Sequence, residues 1–392
     1  MKIAIVRQRY NPYGGAERFV ERALAALAAE GIDVFLIARQ WTQAAANGFQ
    51  RINCDPPSGG VFGGRLARDR GFALAAAKLM AAGQFDLVQS HERIPGCSIF
   101  RAGDGVHAAW LAQRARVLGA VGRWSQRLSP YHRYVLDAEA NMFAHPALRA
   151  VICNSRMVAD EIHRFYGVDR ERLVLIENGV DLDVFNPEQV SIHRAGIRRA
   201  SGIPESVPLL LHVGSGFARK GVPQLLQAMA RCAGGEFHLA IVGADRKLNA
   251  LRATAERLGI GRRVHFTGPL PDVRPWYGAA DGFVLPTLYD PGPNAVLEAM
   301  ACGLPVLTST SCGARDWVIP GKNGYLVDAL DVDALSDGLL RLCALAELPA
   351  SRLLARAAVA ELGLPAMADR LIALYRRLIV GNGLQVSPDR VV

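Results

Sequence analysis

Short apolar runs alternate with longer stretches of helical periodicity along this chain, and the alternation runs through twice. The first round places strands near residues 2–7, 33–38, 86–90, 98–101 and 150–153, with helices over 15–30, 71–82 and 132–143. The second places strands near 208–213, 237–242, 263–266, 282–285, 305–308 and 325–327, with helices near 221–233, 246–258, 294–302 and 332–344. Parallel strands need a crossover, usually helical, so this alternation implies parallel sheets with helices on both faces. Two rounds make two doubly wound, Rossmann-like α/β domains, which suits 392 residues better than one core. The stretch IENGVDLDVFNPE (176–188) separates them, with Asn178-Gly179 and Asn186-Pro187 supplying turn chemistry. The expected boundaries are 1–177, 178–365, and a C-terminal helix and tail over 366–392 that returns to the first domain. Open sheets of this kind bind ligands at their carboxyl edges, so two of them facing each other would enclose a cleft.

Other classes are disfavoured early. No run approaches the roughly 18 apolar residues of a spanning helix, and the N-terminal Lys2-Ile3-Ala4-Ile5-Val6-Arg7 is too short for a signal peptide. Seven cysteines are scattered without a Cys-x-x-Cys pair, so reduced buried thiols in a cytoplasmic protein are expected, with no zinc site. The net charge of +9 is uneven: residues 1–180 hold 23 Lys and Arg against 16 Asp and Glu, the remainder 22 against 20. An anionic partner at the first half follows, whether nucleic acid, acidic membrane or phosphorylated substrate.

Two loops carry the chemistry. HVGSGFARKGV (212–222) reads as a strand end, a glycine-rich turn and a helix start, where backbone N–H groups and the helix terminus favour an anion. Arg219 and Lys220 would then sit at the first helical turn, opposing the dipole unless a diphosphate lies there. A dinucleotide fingerprint is not complete: the third glycine is misplaced and no acidic residue closes the next strand near Val242. In LYDPGPNAVLEAM (288–300), Gly292 and the fixed backbones of Pro291 and Pro293 would aim the amides of Asn294, Ala295 and Val296 outward. Asp290 can accept hydrogen bonds from sugar hydroxyls and Glu298 from a ribose, so the pair can hold two ends of one elongated ligand.

The segment DPGPNAVLEAMACGLPVLTS resembles the acidic-x7-Glu motif of family 4 retaining glycosyltransferases of the GT-B fold. VGSGFARKG, NGVDLDVFNP, GPLPDVRPWYGAADGFVLPT and the N-terminal YNPYGGAERF are similar to the same family, in order along nearly the whole chain. GSGFARKG and the Tyr-x-Pro-x-Gly-Gly opening have the flavour of its lipopolysaccharide core glucosyltransferases. The resemblance implies a retaining hexosyltransferase, with an acceptor-binding first domain and a nucleotide-sugar-binding second. It would move glucose from UDP-glucose to the inner-core heptose of lipopolysaccharide; another polysaccharide or glycolipid acceptor is the alternative. It further implies that Arg219 and Lys220 hold the donor diphosphate, Asp290 the transferred hexose and Glu298 the ribose. Gly292, Asn294 and Ala295 fall in the same donor loop, and Gly14 and Gly15 would let the N-terminal loop close on the phosphates. Asp104, in FRAGDGVH, matches an acidic position on the acceptor side and would orient the acceptor hydroxyl or stabilise a developing oxocarbenium, with His107 a lesser candidate. Asp290 stands where the family usually has Glu, and Ser215 where Arg is frequent. In the front-face account of retention the leaving diphosphate takes the acceptor proton, and the enzyme's cations stabilise the departing charge.

No cofactor or metal is expected; Asp181-Leu182-Asp183 spells a metal-binding Asp-x-Asp but lies in the linker, where Asp183 suits a cap. Residues 105–136 hold Arg114, Arg116, Arg123, Arg127 and Arg133 without an Asp or Glu, beside Trp110 and Trp124. Val117, Leu118, Val121, Trp124 and Leu128 recur at helical spacing, and Gly119 and Gly122 predict partial order. Such a basic amphipathic stretch suits an anionic inner-membrane surface, implying peripheral association with its cytoplasmic face. A nucleic-acid-binding protein is the rival class, but no aromatic stacking platform or recognised module accompanies the charge.

Overall fold

The computed structural model describes residues 2–10, 31–41, 50–56, 64–83, 85–232 and 235–380. The chain divides into two compact units: residues 1–179 with 364–392, and residues 180–363. Gly14, Gly15 and the expected helix over 15–30 lie outside the described residues.

The first unit is built on a seven-stranded sheet: β1 (Lys2–Tyr10), β2 (Asp33–Trp41), β3 (Gln50–Asn53), β4 (Leu87–Ser90), β5 (Ile99–Arg101), β6 (Ala150–Cys153) and β7 (Leu173–Leu175). They pair in the order β3-β2-β1-β4-β5-β6-β7, all parallel. Central strands such as β6, Ala-Val-Ile-Cys, are buried throughout because helices cover both faces. The two strands absent from the expectation, β3 and β7, are the edges. Gln-Arg-Ile-Asn of β3 is mostly exposed, and β7 is three half-buried residues, so neither shows the apolar run of an inner strand.

The second unit holds a six-stranded parallel sheet: β8 (Leu209–Val213), β9 (His238–Val242), β10 (Val264–Gly268), β11 (Gly282–Leu285), β12 (Val306–Ser309) and β13 (Gly324–Val327). Their order is β10-β9-β8-β11-β12-β13. All six were legible, within two residues at each end. The helices Val222–Arg231, Leu248–Arg257, Asn294–Ala301 and Val332–Ala346 also match their expected spans closely. Those at Arg274–Ala279 and Pro349–Ala358 were not anticipated.

The helix Leu364–Val380 belongs to the first unit. Leu364, Met367, Leu371, Leu374 and Leu378 recur every three or four residues and pack against Ile3, Ile5, Leu36, Ile99 and Ile152. Burying each such side chain contributes roughly 1.5–3 kcal/mol. Polar contacts fix the register: Tyr375 donates to Gln89 Oε1 at 2.8 Å and Arg370 to Glu177 Oε2 at 2.9 Å.

Candidate active site

In the second unit, β8 ends at Val213 and the chain turns through Gly214 and Gly216 into the helix Val222–Arg231. Its left-handed N-cap is Gly221, where a Cβ would meet Pro286 O at 1.8 Å, so only glycine allows this turn to lie on the loop after β11. The helix therefore begins after Arg219 and Lys220, which lie in the preceding turn rather than in its first turn. The glycine amides are also not presented to a ligand: Gly214 N–H donates to Val242 O and Gly216 N–H to Ala244 O. Phe217 N–H is taken by Asp245 Oδ2 at 2.7 Å, an acidic residue three positions beyond β9 that the sequence reading passed over. What this loop offers an anion is its cations.

Those cations converge on Asp290. Leu288 N–H and Thr287 Oγ1 both donate to Arg219 O, fastening the second loop to the first. Asp290 continues it as a β-bridge to Cys312, with Gly313 N–H donating to Asp290 O at 2.7 Å. Lys220 Nζ donates to Asp290 Oδ2, and Arg219 Nη1 lies 3.6 Å from the same oxygen. Lys220 and Asp290 are buried, whereas the Arg219 side chain is 38% exposed. Removing one partner of such a buried pair costs about 3–5 kcal/mol, because it strands the other charge. The lysine expected on the diphosphate thus holds the carboxylate expected on the sugar. Beneath lies His212, whose Nδ1–H donates to Val284 O at 3.0 Å; burial, then the Lys220 charge, lowers its pKa to about 3.

Glu298 takes a separate place. It sits on the helix Asn294–Ala301, whose N-cap Pro293 provides no side-chain bond. Its Oε2 accepts from Tyr277 Oη at 3.0 Å, and Tyr277 also reaches Ala295 O at 3.2 Å. Burial, followed by the Glu298 charge, holds the Tyr277 hydroxyl well above its usual range, so it stays a donor. The outward display of amides from residues 294–296 needs correction: Val296 N–H turns back to Pro293 O at 3.2 Å. Gly292, Asn294 and Ala295 remain partly accessible in this loop.

In the first unit, Asp104 lies in the turn after β5, where Gly105 adopts a φ of 68°. The turn is anchored by a residue that the sequence reading missed. Glu139, 1% exposed, accepts from Arg93 Nε at 2.7 Å, from His107 N–H at 2.9 and 3.1 Å, and from Tyr166 Oη at 2.6 Å. It thereby supplies the carboxylate that the N-cap Val106 lacks for the helix His107–Ala115. Burial, then the Arg93 charge, lowers His107 to about 3. Asp104 lines a cavity of about 240 Å³ together with Arg7, Asp69, Glu92, Arg93 and Tyr131.

Residues 105–136 form ordered helices, contrary to the partial order expected from their glycines. His107–Ala115 is followed by Ala120–Leu128, with Gly119 as N-cap of the second, and then by Pro130–Ala144. Nothing in Ala120–Leu128 is buried: Val121 is 81%, Trp124 66% and Leu128 47% exposed, beside exposed Arg116, Arg123 and Arg127. Arg114 instead turns inward to His132 Nε2 at 3.0 Å, and Trp110 is half-buried. In the linker it is Asp181, not Asp183, that caps, its Oδ1 accepting Val184 N–H. Among the described residues no cluster of three or more His, Cys, Asp or Glu is placed to hold a metal. The seven cysteines are unpaired, and all but Cys343 are buried.

Two all-parallel, Rossmann-like units, the second with a cation–carboxylate cluster on the loops after β8 and β11, have the architecture of a glycosyltransferase of the GT-B fold. Residues 193–352 match the model of glycosyl transferases group 1 and residues 13–184 that of Glycosyltransferase Family 4. The chain belongs to these family 4 glycosyltransferases and is a hexosyltransferase. Among curated relatives, the lipopolysaccharide glucosyltransferase WaaG of Escherichia coli K12 is 29% identical over 83% of this chain and 85% of its own. A D-inositol 3-phosphate glycosyltransferase of Xylanimonas cellulosilytica is 30% identical over 70% of this chain and 68% of its own. Of solved structures, that of WaaG aligns with a TM-score of 0.79 at 23% identity, covering 95% of this chain and 99% of that one. Anabaena HepE in complex with UDP and glucose aligns at 0.68 and 19% identity, covering 96% and 100%.

Proposed function

We propose that the enzyme transfers glucose from UDP-glucose, with retention of anomeric configuration, to the inner-core heptose of lipopolysaccharide on the cytoplasmic face of the membrane. The Arg219–Lys220–Asp290 cluster carries the reading. A diphosphate entering beside it draws Lys220 from Asp290, which frees the carboxylate to accept hydroxyls of the hexose. The two cations then stabilise the charge that builds on the leaving group, the kind of contact worth 10²–10³ in turnover. Glu298 accepts the ribose hydroxyls, held in place by Tyr277. The relationship to the E. coli glucosyltransferase supports the acceptor, and the HepE complex supports the donor.

A lipid-borne acceptor requires the enzyme to come to the bilayer. No described helix is long and apolar enough to cross a membrane. The helix Ala120–Leu128 instead offers Val121, Trp124 and Leu128 to the headgroup region, with Arg123 and Arg127 able to add about 1 kcal/mol each at an anionic surface. Replacing Arg116, Arg123 and Arg127 together by Gln should lower sedimentation with anionic vesicles, most at low salt. Equal sedimentation of variant and parent would remove this helix from the membrane. The overall reading is tested by mass spectrometry of lipopolysaccharide from a deletion strain. A core truncated before its first outer hexose is expected; an unchanged core, with loss of another glycolipid, would move the enzyme to that acceptor.

A further inference from the structure

We infer that His212 is a positioning residue for Lys220: its Nε2 is the acceptor that takes an ammonium N–H once a diphosphate has drawn Lys220 away from Asp290. This role rests on the transferase reading above and adds to it the group that steadies the cation on the leaving oxygen. His212 is fully buried on β8, the strand that leads into the Arg219–Lys220 turn. Val284 O can only accept, so the Nδ1 facing it at 3.0 Å carries the proton. The ladder between β8 and β11 runs through Leu211 and Phe283, and this side-chain bond extends it by one residue toward the two donor loops. The neutral ring therefore presents Nε2 as a bare lone pair, and among the described residues no group donates to it. Buried polar atoms are rarely left so, and each one calls for a reason.

The lone pair and the lysine share a face. Gly214 follows β8 directly and keeps to its ladder, donating to Val242 O at 2.9 Å, so alternation puts position 214 on the same side as His212. A Cβ at Gly214 would meet Lys220 Cε at 3.3 Å and Cδ at 3.6 Å; the lysine stem therefore lies over that face, two residues along from the imidazole. Burial first and the lysine charge second hold the His212 pKa down, which keeps the ring neutral and Nε2 an acceptor. Lys220 Nζ has three N–H groups, and among the described residues only Asp290 takes one. When Asp290 turns to the hexose that acceptor is lost, and the flexible four-carbon stem no longer fixes the ammonium. A second carboxylate beside it would compete with the diphosphate for the cation. An imidazole lone pair fixes the ammonium in direction and leaves its full charge for the leaving group, the preorganised kind of stabilisation.

The test titrates the whole chain, labelled with nitrogen-15 at histidine, with UDP, the His212 ring being assigned within the parent by its contacts to Val284 and Phe217. The Nε2 resonance should start where an unprotonated ring nitrogen lies and move upfield as UDP saturates the protein, as it does on accepting a hydrogen bond. An equal shift at about pH 6 and about pH 8 excludes protonation as its cause. The titration needs only the parent, so it decides even where a variant fails to fold. His212→Asn keeps a donor near Nδ1 for Val284 O but offers nothing at Nε2. Its kcat for transfer from UDP-glucose should fall roughly tenfold, the worth of a hydrogen bond to a charged group, with KM and calorimetric UDP affinity within about twofold of the parent. An Nε2 resonance unmoved in a chain that binds UDP, or a kcat within about twofold of the parent, would overturn the inference and leave His212 a stitch between two strands. A parent chain that does not bind UDP would instead overturn the donor reading.

Discussion

The two units hold their candidate carboxylates, Asp290 and Asp104, by different means. In the second unit Asp290 is placed by backbone: a bridge to Cys312, an amide from Gly313, and a loop fastened to Arg219 O. In the first, the turn bearing Asp104 is held largely by distant side chains: Asn154 Nδ2 donates to Gly103 O, Arg93 Nη2 to Gly105 O, and Glu139 gathers Arg93, His107 and Tyr166 from three other segments. Backbone-built sites need glycine and proline at fixed spacing and so leave motifs. Side-chain-built sites leave residues scattered over dozens of positions. The arrangement fits the division of labour proposed here, a donor whose nucleotide is common currency and an acceptor that differs from enzyme to enzyme.

The largest effect should come from the side-chain anchor. Glu139→Gln removes the counter-charge of a buried arginine and the cap of a helix, and should cost about 3–5 kcal/mol. Thermal denaturation should then show the first unit's transition falling by on the order of 10 °C; a change near 1 °C would mean that the turn is held otherwise. Lys220→Met should lower kcat by roughly 10²–10³. Steady-state kinetics showing an unchanged kcat with a raised KM would reduce Lys220 to ground-state binding. Glu298→Gln replaces a charged acceptor by a neutral one and should weaken UDP binding by about 1 kcal/mol, a factor of roughly five. Unchanged calorimetric affinity would take Glu298 out of the ribose site.

A smaller effect compares the units through pH. His212 and His107 are both lowered to about 3, by burial first and by a nearby cation second. The unfolded chain therefore binds more protons than the folded one between pH 6.5 and 3, and stability, fully present above 6.5, is lost as pH falls through that window. His212→Asn should flatten the acid limb of the second unit's stability curve while leaving that of the first. An unaltered limb would show that His212 titrates normally.

How far the sequence carried follows the same division. Inner strands such as β6 and β11 are continuous apolar runs, and Gly221 and Pro291-Gly292-Pro293 mark the donor loops. The edges β3 and β7 were missed because half-covered strands need no such run. Glu139 was missed because it reads as an ordinary acidic residue on the helix Pro130–Ala144; only tertiary packing shows it to be buried. Asp245 is three residues past its strand, outside the window in which a fingerprint is sought. The glycine turn after β8 was found but misread, since spacing does not reveal that its amides bond within the chain.

The central claim is hexosyl transfer with retention, from a donor held by cations rather than by a metal. It is tested most directly by incubating the enzyme, in excess chelator, with UDP-glucose labelled with carbon-13 at C1 and a heptose-terminated core oligosaccharide, and reading the product's anomeric signal by NMR. The account predicts an α-glucoside formed at an undiminished rate. A β-glucoside, or activity abolished by the chelator and restored by manganese, would contradict it.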